Sequence, residues 1–161
     1  AEMSVPDFIP AEFVEEGFVV DVRGLAVQMR GRKTREEGRL VLFDHDHTEM
    51  TYAAAERFSQ IFEKVSIVTP RERIASDCPL VNRQAIYQRL RDRRIEIFTG
   101  VWPKDVDGLD DGRITVHDVW NGDPSHIEGV SAITYATPRI PNDRLLKPLR
   151  SAGYDVMSVG D

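Results

Sequence analysis

The clearest pattern in this chain lies between Arg39 and Pro70, where two short apolar runs flank an amphipathic stretch. The runs are Leu40–Phe43 and Val65–Val68, and their apolar, partly β-branched composition predicts strands. Between them, apolar residues recur with the spacing of one helix face: Ala54, Phe58, Ile61 and Phe62. The pattern predicts a helix from about Met50 to Glu63, and therefore a βαβ unit of about 30 residues.

The rest of the chain extends this unit. The pattern predicts two further helices and six further strands, in this order: helix Val81–Arg93, strands Ile95–Phe98, Val101–Val106, Arg113–Trp120, Ser125–Glu128 and Val130–Thr137, helix Pro141–Ala152, and a last buried strand Asp155–Val159. Turns at Asp110–Gly112 and Asn121–Asp123 make the middle strands antiparallel. The order predicts an α/β fold, a Rossmann-like three-layer sandwich with a mainly parallel sheet and a small antiparallel β-meander.

The first 38 residues have a weaker pattern. A short helix is expected at Ala11–Glu16 and a strand at Phe18–Val22, while Leu25–Met29 fits either a strand or a helix. The charged stretch Gly31–Gly38 is expected to be a surface loop. We therefore expect residues 1–38 to be an N-terminal arm and linker that packs on a partner or neighbouring domain, and residues 39–161 to form the Rossmann-like domain.

The composition of the chain argues against several classes of function. The chain has 161 residues and a net charge of -6, which argues against a nucleic-acid partner. No apolar run approaches the roughly 20 residues needed to cross a bilayer, so no membrane span is expected. The single cysteine, Cys78, excludes an internal disulfide and a four-cysteine iron–sulfur or zinc site, and we expect a cytoplasmic protein.

A polar turn follows the first strand, where a dinucleotide fold would carry a glycine-rich loop. Its residues are Asp44, His45, Asp46, His47 and Thr48, with Thr48 as the expected N-cap of the helix. His45 and His47 share a face if the segment is extended, but two imidazoles do not complete a zinc site, so no metal site is expected. The turn is better interpreted as a nucleotide-contacting junction, through its side chains or free N–H groups.

Three further positions belong to the expected cofactor site. Thr69 ends the second strand, and Arg71 follows it at the place where an arginine meets the 2′-phosphate of NADP. Asp161 follows the last expected strand. Cys78 has no histidine near it in sequence and is interpreted as inert, and no catalytic set is expected anywhere in the chain.

From Arg39 onward the sequence resembles the C-terminal nucleotide-binding domain of the trimethylamine dehydrogenase and 2,4-dienoyl-CoA reductase family of iron–sulfur flavoproteins. The resemblance covers about three-quarters of the chain. It is carried by the following motifs: Arg39–Asp44, Met50 at the helix start, Val65–Pro70, Gln84–Ile97, Val119–Asp123 and Ser158–Asp161. The resemblance adds Met50 to the expected cofactor contacts.

The resemblance implies an accessory, non-catalytic subunit or fragment of a heteromeric flavin-dependent oxidoreductase. FMN and a 4Fe–4S cluster are then expected on a larger catalytic partner chain, and this chain would hold ADP structurally. The substrate of such a complex would be an N-methylated amine or an enoyl compound.

One departure from the family keeps two alternatives open. Relatives have small residues after the methionine, whereas this chain has Thr51 and Tyr52, and a tyrosine there is expected to occupy pyrophosphate space. The first alternative is an NAD(P)H-binding reductase domain. The second is a degenerate module that binds no ligand and acts only in packing.

Overall fold

The computed structural model describes residues 2–141 and 143–157. Its helices are α1 (Ala11–Glu15), α2 (Val22–Gln28), α3 (Glu49–Phe58), α4 (Leu80–Asp92) and α5 (Leu146–Ser151). Its first five strands are β1 (Glu2–Met3), β2 (Val20–Asp21), β3 (Glu36–Asp44), β4 (Phe62–Thr69) and β5 (Glu96–Thr99). The others are β6 (Val101–Asp105), β7 (Arg113–Asp118), β8 (Pro124–Glu128), β9 (Val130–Ala136) and β10 (Arg139–Ile140).

A five-stranded parallel sheet in the order β2-β9-β3-β4-β5 is the central layer. Helix α3 contacts both α2 and α4, and these helices form a second layer. A three-stranded antiparallel sheet, β6-β7-β8, forms the third layer and meets the parallel sheet through β6 and β4. The predicted α/β, Rossmann-like architecture with an antiparallel meander is confirmed.

The strand order places a topological switch point beside β3. From β3 the chain moves outward to β4 and then β5, but β9 returns to the other side of β3. The register pairs Asp44 at the end of β3 with Ala136 at the end of β9. In open α/β sheets, ligands bind in the crevice between the carboxyl ends of two such strands.

The segment before residue 39 packs on the sheet. Strand β2 pairs in parallel with β9, and the Thr134 hydroxyl donates a 2.8 Å hydrogen bond to the Val20 carbonyl. The segment also supplies several buried core side chains: Met3, Phe8, Ile9, Val19, Val22 and Leu25. Strand β1 pairs with β10 in a separate two-stranded ribbon. The expected contact of residues 1–38 with a partner stays a prediction.

Helix α3 is shorter than the sequence predicted. It ends at Phe58 instead of Glu63, because Ile61 lies in the turn after the helix and Phe62 begins β4, so their buried side chains do not extend the helix face. The buried face of α3 also differs from the prediction, since it carries the polar side chains of Thr51 and Tyr52.

The structure also decides two sequence expectations near the ends of the chain. The Leu25–Met29 stretch is helical, because Asp21 caps α2 by accepting hydrogen bonds from the N–H groups of Arg23 and Gly24. The last predicted strand, Asp155–Val159, is wrong over residues 155–157, which form no strand; residues 158–161 lie outside the described part. The sheet position next to β9 is occupied by β2 instead.

No helix within residues 2–141 and 143–157 combines the length and apolar character that crossing a bilayer requires.

Candidate functional site: a self-bonded turn at the sheet switch point

The turn between β3 and α3 begins with a buried carboxylate. Asp44 is fully buried, and its Oδ1 accepts a 3.0 Å hydrogen bond from the His47 N–H. Its Oδ2 accepts a 2.6 Å hydrogen bond from the Tyr52 hydroxyl. Burial raises the pKa of the Asp44 carboxyl to about 6, although both hydrogen bonds favour its charged form.

Tyr52 links this carboxylate to the loop that follows β4. Its ring is fully buried, and its oxygen accepts a 2.5 Å hydrogen bond from the Ala75 N–H while donating to Asp44. Burial and the neighbouring Asp44 charge raise the pKa of the Tyr52 hydroxyl, so it stays protonated as a donor. The tyrosine thus joins the end of β3, helix α3 and the loop after β4.

His47 completes the buried cluster. Its Nδ1 lies 3.5 Å from the Tyr52 oxygen and 3.6 Å from Asp44 Oδ2, and its Nε2 lies 3.4 Å from Thr69 Oγ1. Burial and then the Arg71 charge lower the pKa of the imidazole, which favours its neutral form. His47 also has a φ of 55°, the left-handed conformation for which a nucleotide-binding turn often uses glycine.

The turn's own acceptors satisfy its backbone N–H groups. His45 and Asp46 both donate to the Ala136 carbonyl, at 2.8 and 3.1 Å. Thr48 donates to Asp46 Oδ1 at 3.1 Å, and Thr51 donates to the Thr48 carbonyl at 3.1 Å. With the His47–Asp44 bond, these contacts occupy the N–H groups of residues 45–48, which a phosphate beside the turn would otherwise use.

The negative charge of the turn also disfavours a bound phosphate. Asp46 also accepts hydrogen bonds from the Thr48 and Thr51 hydroxyls, at 3.1 and 2.7 Å, so a carboxylate lies at the start of α3. Glu49 adds a second carboxylate in the first helical turn. Carboxylates at a helix N-terminus take the place of a bound anion and repel another. A pyrophosphate on this helix end does not fit the residues present.

A crevice of about 500 Å³ remains beside the turn, at the switch point. Its lining consists of His45, Asp46, Thr48, Arg71, Asp77, Thr137, Pro138 and Arg139. Arg71 and Arg139 are exposed and approach from opposite walls, after β4 and after β9. The His45 ring packs edge-on against Trp102, with centroids 5.6 Å apart, and burial followed by the Arg71 charge lowers its pKa.

The structure distributes the sequence-predicted site residues between two environments. Asp44, His47 and Thr69 are buried in the polar cluster, whereas His45, Asp46, Thr48 and Arg71 line the crevice. Thr48 is the N-cap residue, but its side chain makes no capping bond to the helix; its hydroxyl donates to Asp46 instead. Met50 lies on α3, partly exposed, and does not line the crevice. Asp161 lies outside the described residues, and a cofactor-binding role for the whole set stays a prediction.

The crevice wall that follows β9 supplies none of the expected cofactor contacts, although the sequence places residues 136–140 at a strand end where ligands are expected. Thr137, Pro138 and Arg139 come directly after the strand that pairs with β3 at the switch point. The carboxyl end of that strand was the available signal, once β9 is placed beside β3. Within residues 2–141 and 143–157, no cluster of three or more His, Cys, Asp or Glu side chains is arranged to hold a metal ion.

Comparisons with solved structures identify the fold. The chain is similar to the histamine dehydrogenase from Rhizobium sp. 4-9, with a TM-score of 0.75 and 21% identity over 92% of this chain and 22% of that one. It is similar to the 6-hydroxypseudooxynicotine amine oxidase from Pseudomonas geniculata N1, with a TM-score of 0.73 and 16% identity over 94% and 21%. Thioredoxin reductase from T. acidophilum matches with a TM-score of 0.66 and 14% identity over 91% and 44%.

These matches establish a Rossmann-like fold that occurs in oxidoreductases. The chain spans about a fifth of the length of the two amine-oxidising enzymes and under half of the thioredoxin reductase. No family model matches this sequence, and no curated protein sequence matches it.

Proposed function

We propose that this chain is a non-catalytic, Rossmann-like component of a flavin-dependent oxidoreductase, in which FMN and a 4Fe–4S cluster belong to a larger catalytic partner chain. The observation that carries the proposal is the self-bonded β3–α3 turn. The N–H groups of residues 45–48 are already hydrogen-bonded to Ala136, Asp44 and Asp46. Asp46 and Glu49 also place negative charge at the start of α3. The scaffold of a nucleotide domain is retained while its phosphate-binding turn is closed.

The buried cluster supports a structural role for these polar residues. Asp44, His47, Tyr52 and Thr69 have no exposed surface, so a substrate cannot come within hydrogen-bonding distance of them without a rearrangement. A carboxylate, an imidazole and a phenol in contact are residue types used in acid–base chemistry. Here they bond to one another and to the Ala75 backbone, and they hold the turn and the loop after β4 together.

The role in a larger assembly is supported by the exposed apolar side chains. Trp120 is 76% exposed at the tip of the β7–β8 turn, and Leu80 and Val81 are exposed at the start of α4. Exposed aromatic and aliphatic side chains of this size are typical of protein interfaces. The similar solved enzymes have much longer chains, in which a domain of this fold adjoins other parts of the protein.

Native mass spectrometry of the protein purified from its own cells tests the proposal. We expect a complex with a larger chain, together with mass added by flavin and by an iron–sulfur cluster on that chain. When the two chains of the complex are separated, the flavin should be found with the larger chain. A flavin or a substrate turnover carried by this 161-residue chain alone would contradict a non-catalytic role.

The crevice favours one second candidate, the binding of an adenine nucleotide as ADP or NAD(P)H. Its volume of about 500 Å³ lies within the range of small-ligand pockets. Arg71 and Arg139 would hold the phosphates from the two walls, in place of the closed helix end. This arrangement differs from the usual dinucleotide mode, since the phosphates meet side chains instead of backbone N–H groups.

Isothermal titration with ADP and with NADPH tests the second candidate. Binding should weaken at least tenfold in Arg71→Ala and in Arg139→Ala, and should be unchanged in Arg30→Ala, an exposed arginine beyond α2. Absence of heat with both nucleotides would reject nucleotide binding and leave the packing role as the function.

A further inference from the structure

The exposed side chain of Phe18, which has glutamates near it in the sequence, projects from the N-terminal segment. Phe18 is 73% exposed, and its ring touches the protein at the Phe13 ring, with centroids 6.4 Å apart. Glu12, Glu15 and Glu16, in and just after α1, are all exposed. Residues 11–18 contain no lysine or arginine. We call Phe18 with these three glutamates the acidic knob.

A groove with a basic rim lies on the C-terminal segment. A cavity of about 600 Å³ runs along α5 and is lined by Asp143, Arg144, Leu146, Lys147, Arg150 and Ser151. A second cavity of about 240 Å³ shares Arg144 and is lined by Met3, Val5, Ile140 and Pro141 among others. We call these two adjoining cavities the basic groove. Its lining includes apolar side chains and three cationic side chains, Arg144, Lys147 and Arg150, against two carboxylates, Glu2 and Asp143.

The two surfaces are joined through one small ribbon. Strand β1 leads into α1, strand β10 leads into α5, and β1 pairs with β10 with Glu2 opposite Ile140. Glu2 and Arg144, both more than 80% exposed, lie 3.8 Å apart. The knob and the groove therefore follow the two strands of the same ribbon along the chain. Because Phe18 is exposed in the single chain, it is not seated in its own groove.

We propose that the basic groove of one copy receives the acidic knob of a second copy, and that a two-fold axis makes the contact reciprocal. Each dimer then contains two identical contacts, which is the closed arrangement that a self-complementary surface produces. Opposite charges on the two surfaces set the partner and the orientation, while Phe18 of the knob and Ile140 of the groove supply apolar area that is exposed in one copy.

Sedimentation equilibrium of the full chain measures the contact. We expect a monomer–dimer equilibrium whose dissociation constant rises at least tenfold when salt is raised to about 1 M, where the Debye length falls to about 3 Å. The proposal would be overturned if the chain is a monomer at every concentration. It would also be overturned if the chain associates only with a different, larger protein and not with itself.

Charge reversal provides the decisive comparison. The variant Glu15→Lys with Glu16→Lys and the variant Arg144→Glu with Lys147→Glu should each be monomeric alone, because each places like charges in the contact. Mixing the two variants should restore association, because in the mixed dimer both contacts again pair opposite charges: the lysine knob with the glutamate groove, and the natural knob with the natural groove. Failure of the mixture to associate, when both variants are folded by circular dichroism, would overturn the proposal.

Two aromatic variants locate the contact. Phe18→Ser should raise the dimer dissociation constant at least tenfold, whereas Trp120→Ser removes an equally exposed aromatic from the antiparallel sheet and should leave it unchanged. Both side chains are exposed, so neither change should unfold the chain. The opposite result would place the interface at the β7–β8 turn and reject the knob-and-groove contact.

Discussion

The Tyr52 hydroxyl donates a 2.6 Å hydrogen bond to the Asp44 carboxylate, and both side chains are fully buried. The same oxygen accepts from the Ala75 N–H, so one phenol satisfies a charge on β3 and a backbone donor in the loop after β4. This contact explains how a turn without glycine is stable at the switch point of the sheet.

Replacing Tyr52 with Phe should destabilise the protein by about 3 kcal/mol, because a buried carboxylate and a buried N–H both lose their partner. Urea unfolding followed by circular dichroism measures the change. The matched control is Tyr87→Phe. Tyr87 is half-buried, and its oxygen accepts one 3.3 Å bond from the Ile74 N–H, so the loss should stay below about 1 kcal/mol. Equal losses would mean that the buried cluster is not specially stabilising.

Asp44 should make stability depend on pH in an unusual direction. Its pKa is about 6 in the folded chain and 3.8 as a free side chain, so the folded state holds the proton more tightly. The associated stability is complete below pH 3.8 and is lost as pH rises through 6. We therefore compare the free energy of unfolding of Asp44→Asn with that of the natural chain. The difference should shift in favour of the variant between pH 4 and pH 7, by up to roughly 3 kcal/mol.

Unfolding free energies of the two proteins between pH 4 and pH 7 measure this difference. His47 has a lowered pKa, which acts in the opposite direction below pH 6.5. Because its Nδ1 lies 3.6 Å from Asp44 Oδ2, the two titrations are coupled and the measured difference belongs to the pair. A pH-independent difference would show that Asp44 has an ordinary carboxyl pKa.

Phe8 tests whether the first 38 residues belong to the folded core. Its ring packs edge-on against Phe43, with centroids 5.0 Å apart, and is only 8% exposed. Phe8→Ala should cost about 3 kcal/mol, as for other buried aromatic truncations. Phe18→Ala, which truncates a ring exposed in the single chain, should change the stability of the monomer by less than about 0.5 kcal/mol when measured at a concentration too low for association. Thermal unfolding of both variants distinguishes them, and equal stability would separate this segment from the core.

Asp46 should stabilise the start of α3. Its carboxylate accepts from the Thr48 N–H and from the Thr51 hydroxyl. Asp46→Ala should cost about 1 kcal/mol, the usual net value of a hydrogen bond, because the Thr48 N–H loses its acceptor. Asp46→Asn keeps one side-chain oxygen and should lose less. Amide hydrogen exchange of residues 48–51 should quicken in the alanine variant, and unchanged exchange there would contradict the assignment.

The parts of the fold set by local pattern could be predicted. Val65–Val68 is short, apolar and β-branched, and it lies within β4; Ile86 and Leu90 have helical spacing and are buried on α4. The parts set by distant contacts could not. Pattern alone cannot show that the helix ends before Ile61 and that Phe62 begins β4, nor that β2 occupies the sheet position next to β9.

The candidate site, like the fold, could be predicted only in part from the sequence. The polar composition of Asp44–Thr48 located the turn, and Tyr52 was expected to occupy the space beside it. The direction of the hydrogen bonds was not accessible from sequence. That Asp44 and Asp46 would accept from the turn itself depends on the left-handed backbone of His47, a conformation that a histidine adopts only in its tertiary context.

The pairing of β2 with β9 constrains how the chain acquires its structure during synthesis. Val20 and Thr134 are neighbours in the sheet but 114 positions apart in the chain. At typical translation speeds, on the order of ten seconds separate their emergence from the ribosome. Through that interval the apolar side chains around β2 have no sheet edge to join, so a nascent chain of this protein is expected to need chaperone cover until β9 has been made.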